Sequence, residues 1–283
     1  STGRRFERER QDMTELPEEE EAIFLDFPAE CALPAGKTVL DLDLPELAAP
    51  DGRLLAQGLR LHVKGGEKVC ITGRNGAGKS TTIKCLSGIL TPTSGQARCL
   101  GLVPWKERIA NARDIGVVFG QRSQLWWDVP VSDSFELLRD IYGVAEGDYR
   151  RRLSELADIL ELSALLKTPV RQLSLGQRMR CEIAASLLHE PKVLFLDEPT
   201  IGLDAVSKLT VRAFIKQINQ SRGTTVILTT HDMQDISALA NRILLIGHGK
   251  LLLDGTFDDV RAVNPNAQSL DDLAAELYAR YRV

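Results

Sequence analysis

Five short apolar runs punctuate the chain, at Lys68–Thr72, Ile115–Phe119, Val193–Leu196, Thr225–Leu228 and Ile243–Ile246. Runs of this length without alternation suit strands buried on both faces. Helical stretches separate them, which predicts an α/β domain around a parallel sheet. After the first run comes a glycine-rich turn, then a predicted helix over Ser80–Leu90. Upstream, Leu40-Asp41-Leu42-Asp43-Leu44 alternates at period two, as a half-buried strand does. Pro45, Pro50 and Asp51-Gly52 punctuate that region, so residues 23–64 are expected to form a small antiparallel sheet. Between Gln121 and Pro191 the strand pattern stops. Helices are predicted at Val131–Ile141, Tyr149–Leu160 and Gly176–His189, as a helical lobe inserted into the sheet domain. Residues 270–281 read as a terminal amphipathic helix. Residues 1–22, with Arg4, Arg5, Arg8 and Arg10 ahead of Glu18–Glu21, read as a solvated extension.

Composition narrows the function classes. The 283 residues are 43% hydrophobic, enough for one large domain or two small lobes. A net charge of −4 with 5% aromatics argues against a protein that coats nucleic acid or stacks its bases. The apolar runs are far below the roughly 18 residues of a membrane-spanning helix. The alternating Arg and Glu of the first residues are no secretory signal, and a start at Ser1 fits a fragment or a processed chain. Cys31, Cys70, Cys85, Cys99 and Cys181 are scattered, as expected for reduced thiols in a cytosolic protein. His62, His189 and His248 read as solvated or core residues, and no metal-ligand spacing emerges among Cys and His.

Two segments carry candidate chemistry. Gly73-Arg74-Asn75-Gly76-Ala77-Gly78-Lys79-Ser80-Thr81 has the P-loop form G-x-x-x-x-G-K-[ST]. Its glycines let backbone N–H groups wrap phosphate oxygens, and the following helix points its positive end at them. Lys79 is expected to reach the β- and γ-phosphates of a nucleotide, and Ser80 to ligate Mg²⁺. Val193-Leu194-Phe195-Leu196-Asp197-Glu198 is a buried strand ending in two carboxylates, expected to face the P-loop crevice. Asp197 would hold Mg²⁺ through water and Glu198 would polarise the attacking water.

Further motifs match a known family. Leu173-Ser174-Leu175-Gly176-Gln177 resembles the LSGGQ signature of ATP-binding-cassette (ABC) ATPases. Gln121 stands where that family has its Q-loop glutamine, Asp204 in Gly202-Leu203-Asp204 where it has its D-loop, and His231 where it has its switch histidine. Over roughly residues 40–260 the chain is identified as a member of that family. The resemblance implies a P-loop NTPase core with an N-terminal antiparallel β piece and an inserted helical subdomain. It divides the chain into an N-terminal extension with short strands (1–38), an ATPase domain (39–264, helical subdomain about 121–191) and a C-terminal helical tail (265–283). It also implies ATP and Mg²⁺ as ligands, with Ser80, Gln121 and Asp197 around the metal and Glu198, His231 and Gln121 in catalysis. Two copies would sandwich two ATP molecules. Ser174, Gly176 and Gln177 of one copy would meet the γ-phosphate held by Gly73, Asn75, Gly76, Ala77, Gly78, Lys79, Ser80 and Thr81 of the other, and Asp204 would couple the two sites.

Two departures stand out. Leu175 replaces the first glycine of LSGGQ, and no aromatic lies between Phe27 and Gly73 to stack on adenine. Glu198-Pro199-Thr200-Ile201-Gly202-Leu203-Asp204 and the stretch Gly116–Tyr142 resemble bacterial exporters whose ATPase and membrane chains are separate. The implied protein is an export motor, peripheral on the inner face of the membrane, with a transmembrane partner and no nucleic acid. Pro17–Glu21, Phe27-Pro28 and Leu33-Pro34-Ala35-Gly36-Lys37 resemble instead the region before the second cassette of ABC-F proteins, so the alternative is a soluble factor on the ribosome, or a fusion of the two. Trp126 and Trp127 admit two readings, core packing or an apolar anchor for the membrane partner.

Overall fold

The computed structural model describes residues 36–48, 54–73, 76–120, 122–247, 250–263 and 276. Two sheets organise them. The smaller has the order β2-β1-β4, from β1 (Thr38–Ala48), β2 (Leu54–Lys64) and β4 (Gln96–Cys99), all antiparallel. The larger has the order β5-β6-β7-β3-β8-β9, from β3 (Lys68–Thr72), β5 (Ile115–Phe119), β6 (Val193–Asp197), β7 (Thr225–Thr229), β8 (Arg242–Gly247) and β9 (Lys250–Gly255). Its strands run parallel except β9, which pairs antiparallel with β8.

The continuous apolar runs are explained by two cores, one on each side of the large sheet. Val69, Ile71, Val193, Phe195 and Ile227 point into a core shared with Leu40, Leu42, Leu44, Leu59 and Leu61 of the small sheet. Cys70, Leu194, Leu196, Val226 and Leu228 point into the opposite core. Successive residues serve opposite faces, so neither face can be polar.

The opposite core is filled by helices: α3 (Val131–Tyr142), α4 (Glu146–Ile159), α5 (Leu175–Leu187), α6 (Ala205–Arg222) and α7 (Met233–Leu239). On the small-sheet side lies α1 (Lys79–Leu86), with α2 (Arg108–Asp114) ahead of β5; α8 (Phe257–Val263) packs on the helical side. Two expected helices end early. α1 stops at Leu86 because Ser87 caps it, Gly88 turns at φ 79° and the N–H groups of Ile89 and Leu90 fold back on Lys84 O. α5 stops at Leu187, ahead of Glu190 at φ 54° and Pro191. α4 begins at Glu146, three residues before Tyr149, with Glu146 and Asp148 in its first turn where the helix dipole favours them. Strands β4 and β9, too short or too mixed to read, were missed. Of the expected terminal helix at 270–281 only residue 276 is described, and it is helical; the first 35 residues, Cys31 among them, lie outside the described residues. Cys70, Cys85, Cys99 and Cys181 are free and buried.

Candidate functional site

The P-loop segment runs off the end of central β3. Thr72 is buried and its Oγ1 donates to Thr230 O at 2.7 Å. Gly73 follows at φ 145°, pressed against β8: a Cβ there would fall 1.9 Å from Ile246 O, so only glycine fits. Gly76 and Gly78 are also left-handed, and Gly78 caps α1 with backbone alone. The first-turn N–H groups at Lys79, Ser80 and Thr81 thus meet no side-chain cap, and a helix N-terminus of this kind is an anion site. Ala77 and Lys79 are buried, and Lys79 Nζ donates to Gly73 O at 2.6 Å. Asn75 lies outside the described residues.

Asp197 ends β6 in register with Thr229 of β7. Its Oδ1 accepts from Ser80 Oγ at 2.8 Å and from Thr229 Oγ1 at 2.7 Å. Glu198 comes next, at φ 54°. A non-glycine residue there carries strain on the order of 1 kcal/mol, and such strain clusters at functional sites. Its N–H is held by Thr229 O at 3.1 Å and Thr229 Oγ1 at 3.0 Å. The turn brings Glu198 Oε2 to 2.9 Å from His231 Nδ1. Gln121 lies outside the described residues, but Gly120 before it donates to Asp197 O at 2.8 Å. The crevice therefore collects Gly73, Lys79, Ser80, Asp197, Glu198 and His231 from three neighbouring strand ends.

Ser174, Gly176 and Gln177 gather elsewhere, with Asp204. Ser174 caps α5 in a reciprocal box: its Oγ accepts from Gln177 N at 3.2 Å, and its N–H donates to Gln177 Oε1 at 2.9 Å. Asp204 caps α6, accepting from Ser207 N at 2.9 Å and Ser207 Oγ at 2.7 Å. These bonds, the Ser207 backbone N–H first, hold its carboxyl below the usual carboxylate range.

Three residues escaped sequence reasoning. Thr229 positions Asp197 and Glu198; its signal was a polar residue closing the apolar run Val226–Leu228. Glu182 is a carboxylate buried among Cys181, Ile183 and Ala184 of α5, bound by Ser123 Oγ and by Gln124 N at 3.2 Å. Asp235 is buried and accepts from Thr200 Oγ1, from Thr230 Oγ1 at 3.1 Å and from Arg212 Nε at 2.5 Å. It ties the turn after Glu198 to the residue before His231.

Residues 56–201 match the ABC transporter family, about half of the chain. The chain belongs to it. This ABC chain is 37% identical over 239 residues to the probable multidrug ABC transporter ATP-binding protein YbhF of Escherichia coli K12, covering 83% of this chain and 40% of the relative. It is 33% identical over 208 residues to the linearmycin resistance ATP-binding protein LnrL of Bacillus subtilis, covering 74% and 66%. It is 35% identical over 223 residues to the aliphatic sulfonates import ATP-binding protein SsuB of Pseudomonas putida, covering 79% and 77%. The chain thus spans about two fifths of the length of YbhF. Among solved structures, the ATP-binding subunit of an ABC transporter superposes with TM-score 0.74 at 26% identity, covering 85% of this chain and 99% of the other. A dimeric ATP-binding cassette in a post-hydrolysis state with ADP and Pi gives TM-score 0.68 at 26% identity, covering 77% and 98%.

The ABC chain is accordingly an ATP-binding ATPase domain, and its residues fit ATP with Mg²⁺. The glycine turn and the α1 N-terminus offer N–H donors to phosphate. Ser80 Oγ and Asp197 Oδ1 form a pair of hard oxygen donors, 2.8 Å apart. Mg²⁺ takes one or two protein oxygens together with phosphates and waters. Among the described residues no cluster of three or more His, Cys, Asp or Glu competes as a metal site.

Proposed function

We propose that the chain drives export through a separate membrane subunit, hydrolysing ATP in a dimer that closes on two nucleotides. The observation that carries the catalytic part is the Glu198–His231 pair at 2.9 Å, beside Ser80 and Asp197. Gly73, Asn75, Gly76, Ala77, Gly78, Lys79, Ser80 and Thr81 hold the phosphates, Lys79 supplying the charge. Ser80, Asp197 and Gln121 would hold Mg²⁺, whose charge would offset that of the phosphates. Glu198 takes a proton from water as the water oxygen bonds to the γ-phosphorus and the bond to the β–γ bridging oxygen breaks. ADP and inorganic phosphate leave. His231 steadies Glu198 through Nδ1 and faces the γ-phosphate. Ser174, Gly176 and Gln177 of a second copy complete the site, and Asp204 couples the two.

The domain division at 1–38, 39–264 and 265–283, with a helical subdomain at about 121–191, belongs to the same reading. Export is supported by relatives named for multidrug transport and linearmycin resistance, and by the exporter-like stretch around Gln124–Asp128. Among the described residues no helix is long and apolar enough to cross a membrane. In this reading a membrane partner supplies the path, and the chain works at the inner face of the membrane. Exposed Trp126, Trp127, Leu137 and Ile141 on the helical lobe suit its docking. The relatives described above are transporter ATP-binding proteins, which sets the translation-factor reading aside.

Glu198→Gln tests the proposal. It keeps the shape and removes the base, so steady-state hydrolysis falls by about 10²–10⁴-fold. ATP binding survives, and ATP traps a dimer visible by size-exclusion chromatography. Hydrolysis near the wild-type rate refutes the role of Glu198. A variant that stays monomeric with bound ATP refutes the dimer.

A further inference from the structure

Leu175 occupies the position where the family signature has its first glycine, and the structure gives it a task. Its Cδ2 lies over Gly202, 3.0 Å from where a Cβ on that glycine would stand. One residue later the fit is reversed. Gly176 is buried, and a Cβ there would fall 2.3 Å from Ser207 Oγ and 2.9 Å from Ser207 Cβ. Ser207 is not free to swing away, because its Oγ and N–H both donate to Asp204. A side chain of α5 thus covers a glycine of the 199–204 turn, and a side chain of α6 covers a glycine of α5. The turn itself is stiffened: Ile201 N donates to Glu198 O at 3.2 Å, Leu203 N donates to Thr200 O at 3.2 Å, and Leu203 is buried.

We propose that this double interlock makes the signature turn and the segment from Glu198 to Asp204 one rigid unit, with Leu175 and Ser207 as its positioning residues. Glycine is required at 176 by a neighbouring helix of the same chain, independently of any nucleotide. The leucine is accommodated at 175 because Gly202 leaves room beneath it. The unit joins Glu198 at one end to Ser174 at the other, so a displacement of either is felt by both. This rests on the ATPase reading of Glu198. It places the cost of disturbing the interlock on turnover, not on ATP affinity of the single chain, since the P-loop lies outside the unit and the signature of a second copy meets the nucleotide only on closure.

The experiment uses Gly176→Ala, Ser207→Gly and their combination in the full chain. It measures kcat and KM for ATP, equilibrium ATP binding and melting temperature. Gly176→Ala lowers kcat by about tenfold or more with ATP affinity within about twofold, because the methyl group must push Ser207 and Asp204 aside. Ser207→Gly opens the interlock and lowers kcat a few-fold. The double variant behaves like Ser207→Gly, since the new methyl fills the space that the hydroxyl left. A Gly176→Ala variant with wild-type kcat overturns the proposal. So does a double variant as inactive as Gly176→Ala while still binding ATP, which would move the glycine requirement onto the nucleotide. Should Gly176→Ala fail to fold, Leu175→Ala decides. It removes the group over Gly202 without a clash, and an unchanged kcat in it overturns the interlock. Failure of the ATPase reading shows separately, as a Glu198→Gln variant that hydrolyses normally.

Discussion

Glu182 is the buried charge whose removal should be felt most widely. Its side chain sits in α5, about one and a half turns beyond the signature, and the residue is 3% exposed. It accepts from Ser123 Oγ and from Gln124 N at 3.2 Å, while its backbone O takes Gln124 Nε2 at 3.0 Å. These contacts strap the segment just after Gln121 to the signature helix. In Glu182→Ala the Gln124 N–H loses its acceptor, at about 1–3 kcal/mol, while the exposed Ser123 hydroxyl keeps Leu125 O at 3.3 Å. Part is offset, because burial pushes the Glu182 carboxyl above the usual range and the Ala variant is spared that desolvation. The net loss is about 1–2 kcal/mol, or about 2–8 °C in melting temperature for a chain of this size. Glu182→Gln keeps an acceptor oxygen and sheds the charge, so it loses about 1 kcal/mol. Because the folded pKa is raised, the carboxyl contributes most below its unfolded pKa and less as pH rises through the folded value. The wild type therefore leads Glu182→Gln most clearly in acid. Calorimetry read beside ATPase rates checks both parts, with kcat ordered wild type, Gln, Ala. An Ala variant that melts within about 1 °C of wild type and turns over normally would refute the strap.

Two further predictions concern the helical lobe. His189 stacks on Tyr142 at 3.9 Å, its Nε2 lies 2.9 Å from Ile115 O, and burial lowers its pKa to about 4. The unfolded chain takes up that proton near pH 6.5, so stability falls as pH drops from there toward 4, by on the order of 3 kcal/mol. Denaturant midpoints at pH 7 and pH 5 should converge in His189→Gln, and an equally steep loss in that variant sinks the idea. Trp126 and Trp127 are 42% and 53% exposed, and the Trp127 ring meets Arg178 at 5.9 Å. Trp127→Ala should keep ATP binding and fold while weakening capture of the membrane subunit by about 2 kcal/mol. Undiminished co-purification would return the ring to a purely local role.

Much of the chain was legible because its signals are local. The five apolar runs each became a strand of the large sheet, since a strand covered on both faces can only be apolar. The P-loop glycines, the Asp197-Glu198 pair and the signature advertise themselves by spacing, and Gly73 shows why: the approach of Ile246 O to its Cα admits no side chain. Helix limits were less legible, because α1 and α5 end where glycine, proline and left-handed residues reverse the chain. The half-exposure of the tryptophan pair could not be read either, since the same residues would suit a core. What only the tertiary structure decided are the partners brought together across long sequence separations. Thr229 meets Asp197, Asp235 joins Thr200 to Thr230, Glu182 grips Ser123 and Gln124, and Leu175 settles over Gly202. Each is an ordinary residue in its own neighbourhood. A local pattern records which face of an element is buried, whereas the identity of the group waiting there depends on how distant strands and helices register against one another.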